Sequence, residues 1–235
     1  MNNIFVITKK ELRHYVNAPM AYVIMIAYLL INGWFFGSNL FVNNQASLRG
    51  YFGMAPLILL FVIPAFAMRL IAEEKKQGTL ELLVTMPITD IEIIVGKFFG
   101  AISFYAAVLG ATLVYPIVVS TVGSLDWGPV IGGYLGLFFM GSGLIAIGLF
   151  ASSITDNQIV AFIISFLLGF TLFLLGKMLA YAPSTLVPLL SFIGFDSHFD
   201  NISKGIIDTR DLLYYFSLIS LMLFLGLQSL LNRKK

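Results

Sequence analysis

Six long runs of apolar residues constrain the fold of this sequence more than any other feature. They cover residues 20–42, 51–71, 97–122, 130–151, 158–181 and 211–231. Each is long enough to cross a bilayer as a helix, which takes about 20 apolar residues. Because the runs are continuous rather than alternating, they favour helices over the strands of a barrel. The sequence therefore predicts an all-α, polytopic integral membrane protein with six transmembrane helices.

Charged residues are too few for a soluble domain of this size. They make up 11% of the 235 residues, whereas hydrophobic residues make up 59%. A soluble domain carries about 25% charged residues, because polar atoms must cover its core. The surface must therefore face lipid in part. No internal repeat or separate hydrophilic stretch interrupts the pattern, so we expect residues 1–235 to form a single membrane domain.

Lysine and arginine residues are distributed unevenly between the two sides of the predicted bundle. Ten lie on the side that would hold both termini: Lys9, Lys10, Arg13, Arg69, Lys75, Lys76, Lys97, Arg233, Lys234 and Lys235. Four lie on the other side: Arg49, Lys177, Lys204 and Arg210. Because loops rich in lysine and arginine stay inside, this asymmetry predicts that both termini are cytoplasmic.

Residues 1–19 contain an amphipathic helical pattern ahead of the first span. At about 100° per residue, Phe5, Leu12 and Val16 fall on one line, with basic residues on the adjacent side. Such a helix lies in the membrane interface with its apolar side in the lipid. Pro19 favours a break before the first span. A plain cytoplasmic extension of that span is the alternative.

The segment between spans two and three, residues 73–90, is the longest on the side of the termini. Glu73 and Glu74 begin a charged continuation of span two, and Gly78 interrupts it. These charges are expected to form ion pairs of modest strength at the edge of a contact. Before span three, Thr89 or Asp90 is a candidate helix cap.

A short helix is predicted within this segment, from Thr79 to a stop at Pro87. Thr79 suits the N-cap, and Glu81 favours the first turn. The helix is too apolar for a loop that faces only water, so it should pack on a protein partner or on lipid headgroups. Its apolar residues are Leu80, Leu82, Leu83 and Val84.

The segment between spans five and six, residues 182–210, starts apolar and becomes polar. Pro183 and Pro188 prevent one continuous helix. A re-entrant or interfacial helical hairpin and an ordinary surface loop both fit this composition.

No pattern for nucleotide binding occurs in the sequence. A phosphate-binding loop needs G-x-x-x-x-G-K-[ST], and both Gly-Lys pairs, at Gly96 and Gly176, are followed by the wrong residue and lack the upstream glycine. Any ATP chemistry must therefore come from another subunit. The net charge of +2 gives no reason to expect nucleic acid, and we expect no cofactor.

Two patterns that suggest catalysis or metal binding are weak. Ser142 lies between two glycines, but the glycine expected two residues earlier is Met140, and the candidate base, His198, lies in a loop. In that loop Asp196, His198 and Asp200 alternate without a metal-binding spacing, which favours a capped turn ahead of a short helix. We therefore predict neither a catalytic site nor a metal site.

Ionisable and small residues within the spans bear on transport and on helix packing. The span interiors hold no ionisable residue, because Arg69, Lys97 and Lys177 lie near span ends. This counts against a secondary transporter, which needs such groups along its path. Glycines recur every four residues at 96 and 100 and at 128, 132 and 136. They indicate close helix crossings, either within the subunit or at a dimer interface.

Three stretches in order along the chain resemble the permeases of ABC-2 exporters. They are TKKELRHYVNAPMAYV (8–23), EEKKQGTLELLVTMPIT (73–89) and HFDNISKGIIDTRDLLYYFSL (198–218). The third is similar to a subgroup that includes the permease for nitrous-oxide-reductase maturation and the gliding-motility permease of Bacteroidetes. The latter is the nearer resemblance.

The resemblance implies an elbow helix, a coupling helix after span two and re-entrant helices before span six, in a bacterial inner membrane. It assigns elbow residues Lys10, Glu11, Leu12, Tyr15 and Pro19, and outer-loop residues His198, Phe199, Asp208, Arg210 and Asp211. It assigns ATPase coupling to Glu73, Glu74, Gly78, Thr79, Leu80, Glu81, Leu82, Leu83 and Pro87. It implies two ATPase subunits and a second permease, the same or related, with a large extracytoplasmic part in the gliding case. A non-transporting scaffold is the alternative function, ahead of a secondary transporter.

Overall fold

The structure, a computed structural model, describes residues 3–42, 47–79, 87–180, 183, 185, 187–206 and 208–232. Its helices are α1 Asn3–Asn17, α2 Pro19–Gly37, α3 Arg49–Ala67, α4 Ala72–Gln77, α5 Asp90–Ala111, α6 Val114–Val122, α7 Trp127–Ile154, α8 Gln158–Lys177, α9 Val187–Ile193, α10 Phe195–Ser203 and α11 Thr209–Asn232. A π-helical turn, Ser38–Val42, follows α2, and a 3-10 turn, Met178–Ala180, follows α8. No strand occurs in these ranges.

Six helical stretches in the described ranges are long and apolar enough to cross a membrane. They are Pro19–Phe41, Arg49–Gln77, Asp90–Val122, Trp127–Ile154, Gln158–Lys177 and Thr209–Asn232. The predicted all-α membrane fold is therefore confirmed. Polar or charged residues mark the ends of the apolar runs. Within the runs the chain is helical, because the bilayer core accepts only segments whose backbone groups are hydrogen-bonded internally.

Span two is interrupted between α3 and α4, and a serine of α7 satisfies the break. The hydroxyl of Ser152 accepts hydrogen bonds from the backbone N–H groups of Ile71 (2.9 Å) and Ala72 (2.8 Å). It donates to the carbonyl of Met68 at 3.0 Å. Unpaired backbone groups are costly away from water, so one buried hydroxyl holds this turn in shape.

Span three is interrupted between α5 and α6, where a proline explains the break. Pro116 has no N–H to offer the carbonyl of Thr112 one turn earlier. That carbonyl accepts from the hydroxyl of Tyr134 on α7, at 2.8 Å. The hydroxyl of Tyr51 on α3 donates to the Thr112 side chain at 3.3 Å. Two neighbouring helices thus stabilise the break in span three.

Helix α7 forms the centre of the bundle. It contacts α3, α5, α8, α10 and α11, and most of its residues are buried. Its glycines allow this close approach. A Cβ atom at Gly132 would collide with the carbonyl of Ile202 at the end of α10, and one at Gly136 would lie 3.0 Å from the ring of Phe199. The glycines in the first half of span four therefore pack within this chain.

The outer segment between α8 and α11 forms two short helices. The DSHFD sequence lies inside α10 rather than in a turn ahead of a helix, so that expectation was wrong. The imidazole Nδ1 of His198 lies 2.6 Å from the carboxylate of Asp211 on α11, and both groups are buried. The ring of His198 stacks on Tyr214, with centroids 4.0 Å apart. This pair joins α10 to the last span.

We predict that Gly132→Ala destabilises the protein by about 1–3 kcal/mol, the usual cost of overpacking. The added methyl group would meet the backbone of Ile202 and Gly205, which cannot rotate away as a side chain would. Gly110→Ala is the matched control, because no atom lies within 4 Å of its added Cβ. Thermal unfolding of both variants in detergent measures the difference, and equal midpoints would contradict the assigned packing.

Candidate functional site

A cluster of charged side chains is buried where α1, α4 and α5 meet. The ammonium of Lys97 lies 2.8 Å from the carboxylate of Glu11 and 3.0 Å from that of Glu74. The side chain of Lys97 is 2% exposed, that of Glu11 9% and that of Glu74 15%. We call these three residues the Lys97 cluster, and the end of the bundle where it lies the N-terminal end.

Helical periodicity and two glycines bring the cluster together. Ile7, Glu11 and Tyr15, four residues apart, form the buried side of α1. This side packs along α5, where Gly96 and Gly100 leave room for it. A Cβ atom at Gly96 would lie 2.7 Å from Ile7, and one at Gly100 would crowd Glu11. The glycines flanking Lys97 therefore serve packing within the chain and set Glu11 beside its cation.

The Lys97 cluster is an ion-pair arrangement in which each charge depends on the others. A buried charge is stable only when it is paired and hydrogen-bonded, because desolvation removes its water shell. Lys97 has two carboxylates close to it, and the exposed Lys10 adds a positive charge 3.7 Å from Glu74. Three helices that are distant in sequence are therefore held in one geometry by a shared cation.

Helix α4 is fixed to the bundle from a second direction as well. Its first backbone N–H group, at Ala72, donates to Ser152, and the ammonium of Lys75 donates to the carbonyl of Ser153 at the end of α7. The hydroxyl of Ser229 on α11 donates to the same carbonyl at 2.8 Å. Helix α4 is therefore bonded to α1, α5 and α7 at the same time.

Gly78 and Thr79 follow directly after α4. Gly78 ends the helix in the left-handed conformation, with φ of 70°, which glycine adopts without strain. The hydroxyl of Thr79 donates to the carbonyl of Glu74 at 3.4 Å, so it lies against the end of α4. Among the predicted coupling residues, Leu80, Glu81, Leu82 and Leu83 lie outside the described residues. Pro87, the first described residue after them, is exposed.

A capping box forms the start of α5. The hydroxyl of Thr89 accepts from the backbone N–H of Glu92 at 3.3 Å, and the Glu92 carboxylate accepts from the N–H of Thr89 at 2.8 Å. The side-chain amide of Asn3 on α1 also donates to Glu92, at 3.3 Å. Of the two caps considered, Thr89 is the one used. Hydrogen bonds therefore hold the chain at Thr79 and at Thr89, on either side of residues 80–86.

The predicted elbow residues occupy different surroundings on α1. Lys10 is exposed, Leu12 is half-buried, and Pro19 is the first residue of α2. Tyr15 is buried between Phe66 and Phe104, and its hydroxyl lies 3.4 Å from the carbonyl of Phe66, to which it donates. Burial raises the pKa of the Tyr15 hydroxyl well above its usual value, and the Glu11 carboxylate adds to the shift, so the tyrosine stays neutral.

The predicted outer-loop residues lie apart from the Lys97 cluster. Phe199 is buried on α10, and Asp208 lies just before α11, where its carboxylate accepts from the N–H of Arg210 at 3.0 Å. Arg210 is exposed. Among the predicted outer-loop residues, the pair of His198 and Asp211 joins α10 to the last span.

Neither pattern weighed for catalysis or metal binding forms a reactive site. The hydroxyl of Ser142 donates to the carbonyl of Phe138 in its own helix, at 2.8 Å. Asp196 pairs with Lys177 at 2.8 Å instead of approaching His198 as a shared ligand. Within the described ranges, no group of three or more histidine, aspartate or glutamate residues could hold a metal ion.

The pairing of Glu11 with Lys97 was not predicted from the sequence. Glu74 was expected at the edge of a contact, but its side chain points into the protein. The available signals were the spacing of Ile7, Glu11 and Tyr15 and the glycines on both sides of Lys97. Together they could have placed a carboxylate of α1 against the lysine at the start of span three.

These features define a polytopic α-helical membrane protein with a rigid, charged junction at one end and no reactive site in the described residues. Comparison with protein families matches residues 5–232 to the family described as "ABC-2 family transporter protein". The chain belongs to this family. It is a membrane permease component of an ABC transporter. No curated protein matches the chain.

Proposed function

We propose that this chain couples ATP hydrolysis by a separate ATPase subunit to movement of the membrane domain through residues 73–87. In this proposal the N-terminal end of the bundle is cytoplasmic and the ATPase docks on the segment that leaves α4. Leu80, Leu82, Leu83 and Val84 supply its apolar contact, since buried aliphatic area stabilises such contacts.

The rigid attachment of α4 is the observation that supports coupling most directly. A force applied beyond Gly78 reaches α4, whose neighbours at the Lys97 cluster and at Ser152 and Ser153 belong to α1, α5 and α7. Packed interiors transmit displacement because they deform little. A flexible loop at this place would absorb the movement instead.

Orientation and assembly complete the proposal. Ten of the fourteen lysine and arginine residues lie on the side assigned to the cytoplasm, which supports a multi-pass protein of the bacterial inner membrane with both termini inside. Two ATPase subunits and a second permease, the same or related, complete the transporter. The sequence similarity at residues 198–218 supports the gliding-motility subgroup, in which the complex would drive surface transport or mechanical work.

The purified chain is expected to show no ATP hydrolysis, because its sequence has no phosphate-binding loop. Hydrolysis should appear when a cognate ABC ATPase is co-expressed, and the reconstituted complex should hydrolyse ATP at a rate that differs from that of the ATPase alone. A complex whose ATPase lacks the phosphate-loop lysine is the control. An ATPase that neither co-purifies with the chain nor changes its rate would favour the non-transporting scaffold instead.

A further inference from the structure

A cavity of about 310 Å³ lies beside the Lys97 cluster, between α1, α2 and the end of α3. Its walls differ in character. One end is polar and is lined by Lys10, His14, Arg69 and Glu73. The other end is apolar and is lined by residues of the first turns of α2 and the last turns of α3. A cavity with this division fits an amphiphile rather than a small polar solute.

The apolar end continues into the bundle. Ile24 and Phe66 line the cavity and also a narrow crevice beyond it, which reaches Tyr28 and Val62. On the opposite side, Met20 lines the cavity and is 45% exposed, where the surrounding surface belongs to the first span. The apolar end of the cavity is therefore open at the surface of the first span, where an acyl chain from the bilayer can contact Ile24 and Phe66.

Arg69 supplies an unpaired donor in the polar end. Its Nε atom is buried and has no hydrogen-bond partner, and the ion pairs of the described residues do not include it. A buried donor without an acceptor is costly, and the fork of donors of a guanidinium matches phosphate oxygens. The unpaired donor of Arg69 therefore favours a ligand that carries a phosphate group.

The charges around the cavity favour a zwitterion. With histidine counted as neutral, three positive side chains (Lys10, Arg69 and Lys97) face three negative ones (Glu11, Glu73 and Glu74). The Lys97 cluster holds one positive and two negative charges, and Lys10, 3.7 Å from Glu74, balances the remaining negative charge. Arg69 and Glu73 remain, one for an anionic and one for a cationic group. The amide of Gln77 contacts Glu73 at 3.3 Å and leaves its charge intact.

We propose that this cavity holds one phospholipid with a phosphoethanolamine headgroup. Arg69 binds the phosphate, Glu73 binds the ammonium group, and an acyl chain lies along Ile24 and Phe66. The lipid is a stably bound ligand that fills the space between the first two spans. It is distinct from any substrate that the transporter moves. It would stiffen the same junction that holds α4, because its headgroup contacts α4 directly through Glu73.

Native mass spectrometry of the full chain in detergent tests this proposal. The probes are dioleoyl phosphatidylethanolamine, dioleoyl phosphatidylglycerol and inorganic phosphate. We expect one phosphatidylethanolamine per chain and roughly tenfold weaker binding in Arg69→Gln, because a charge-assisted hydrogen bond is lost. Ile24→Trp should weaken binding by filling the apolar end. Lys76→Gln, on an exposed part of α4 outside the cavity, is the matched control and should bind as the wild type does.

Each other outcome overturns a defined part of the proposal. Binding of inorganic phosphate that displaces the lipid would show a free-anion site, and tighter binding of phosphatidylglycerol would contradict the role of Glu73. Unchanged lipid binding in Arg69→Gln and Ile24→Trp would remove the site altogether. If Arg69→Gln does not fold, Ile24→Trp decides, since it leaves every charge in place.

Discussion

Lys97→Met is expected to destabilise the protein by about 3–5 kcal/mol, the usual cost of breaking a buried ion pair by removing one partner. Lys97 is the cation between the carboxylates of Glu11 and Glu74, at 2.8 and 3.0 Å. Without it, two like charges face each other with little water, and each must be protonated or move outward. The thermal unfolding midpoint in detergent should fall sharply, and α1 should become accessible to proteases.

A second ion pair in the chain provides the matched control for this prediction. Lys204 lies 2.6 Å from Asp200, but the two side chains are 60% and 58% exposed. Exposed pairs contribute roughly 0–1 kcal/mol, so Lys204→Met should change the midpoint little. The triple variant Glu11→Gln, Glu74→Gln, Lys97→Met should recover part of the lost stability, because no buried charge of the cluster remains unpaired. Equal midpoints for Lys97→Met and Lys204→Met would show that the cluster does not hold the junction.

The span pattern could be predicted from sequence because the bilayer imposes it. A helix that crosses lipid needs a long apolar run, so six runs gave six spans without knowledge of their contacts. The capping residue Thr89 was one of two candidates for the same reason of locality: the capping box joins groups three residues apart. Features that depend only on residues close together in sequence can therefore be predicted from the sequence.

The buried cluster could not be predicted in the same way. Glu11 and Lys97 are 86 residues apart, and their pairing depends on which side of α1 packs against α5. Of the three residues on the predicted apolar line of α1, Phe5 and Val16 are exposed and Leu12 is half-buried against the core. The opposite side carries a carboxylate among apolar residues, and only the position of α5 shows that this carboxylate has a partner.

The interior breaks of spans two and three depended on tertiary contacts as well. Ser152 and Tyr134 belong to α7, and each satisfies backbone groups of a different span. Pro116 suggested a local irregularity, but the identity of the compensating hydroxyl follows from helix packing. The glycine pattern likewise indicated close crossings, and the structure assigns Gly96, Gly100, Gly132 and Gly136 to contacts within this chain.

Residues 73–87 are the proposed contact for the ATPase, and association of the two proteins tests this claim most directly. Leu82→Asp and Leu83→Asp each place a carboxylate in the proposed apolar contact. Burying an unpaired charge is costly, so we expect each variant to lose the co-purifying ATPase. The spans should still insert, because the changed residues lie outside the apolar runs. Lys9→Gln, exposed on α1 and outside residues 73–87, is the control and should retain the ATPase.

The decisive measurement is the amount of ATPase that co-purifies with each membrane-inserted variant, relative to the wild-type chain. The proposed coupling contact predicts near-complete loss for Leu82→Asp and Leu83→Asp, wild-type amounts for Lys9→Gln, and unchanged topology for all three. Wild-type amounts of ATPase on both leucine variants, with transport or motility intact, would contradict it and would place these leucines on lipid headgroups instead.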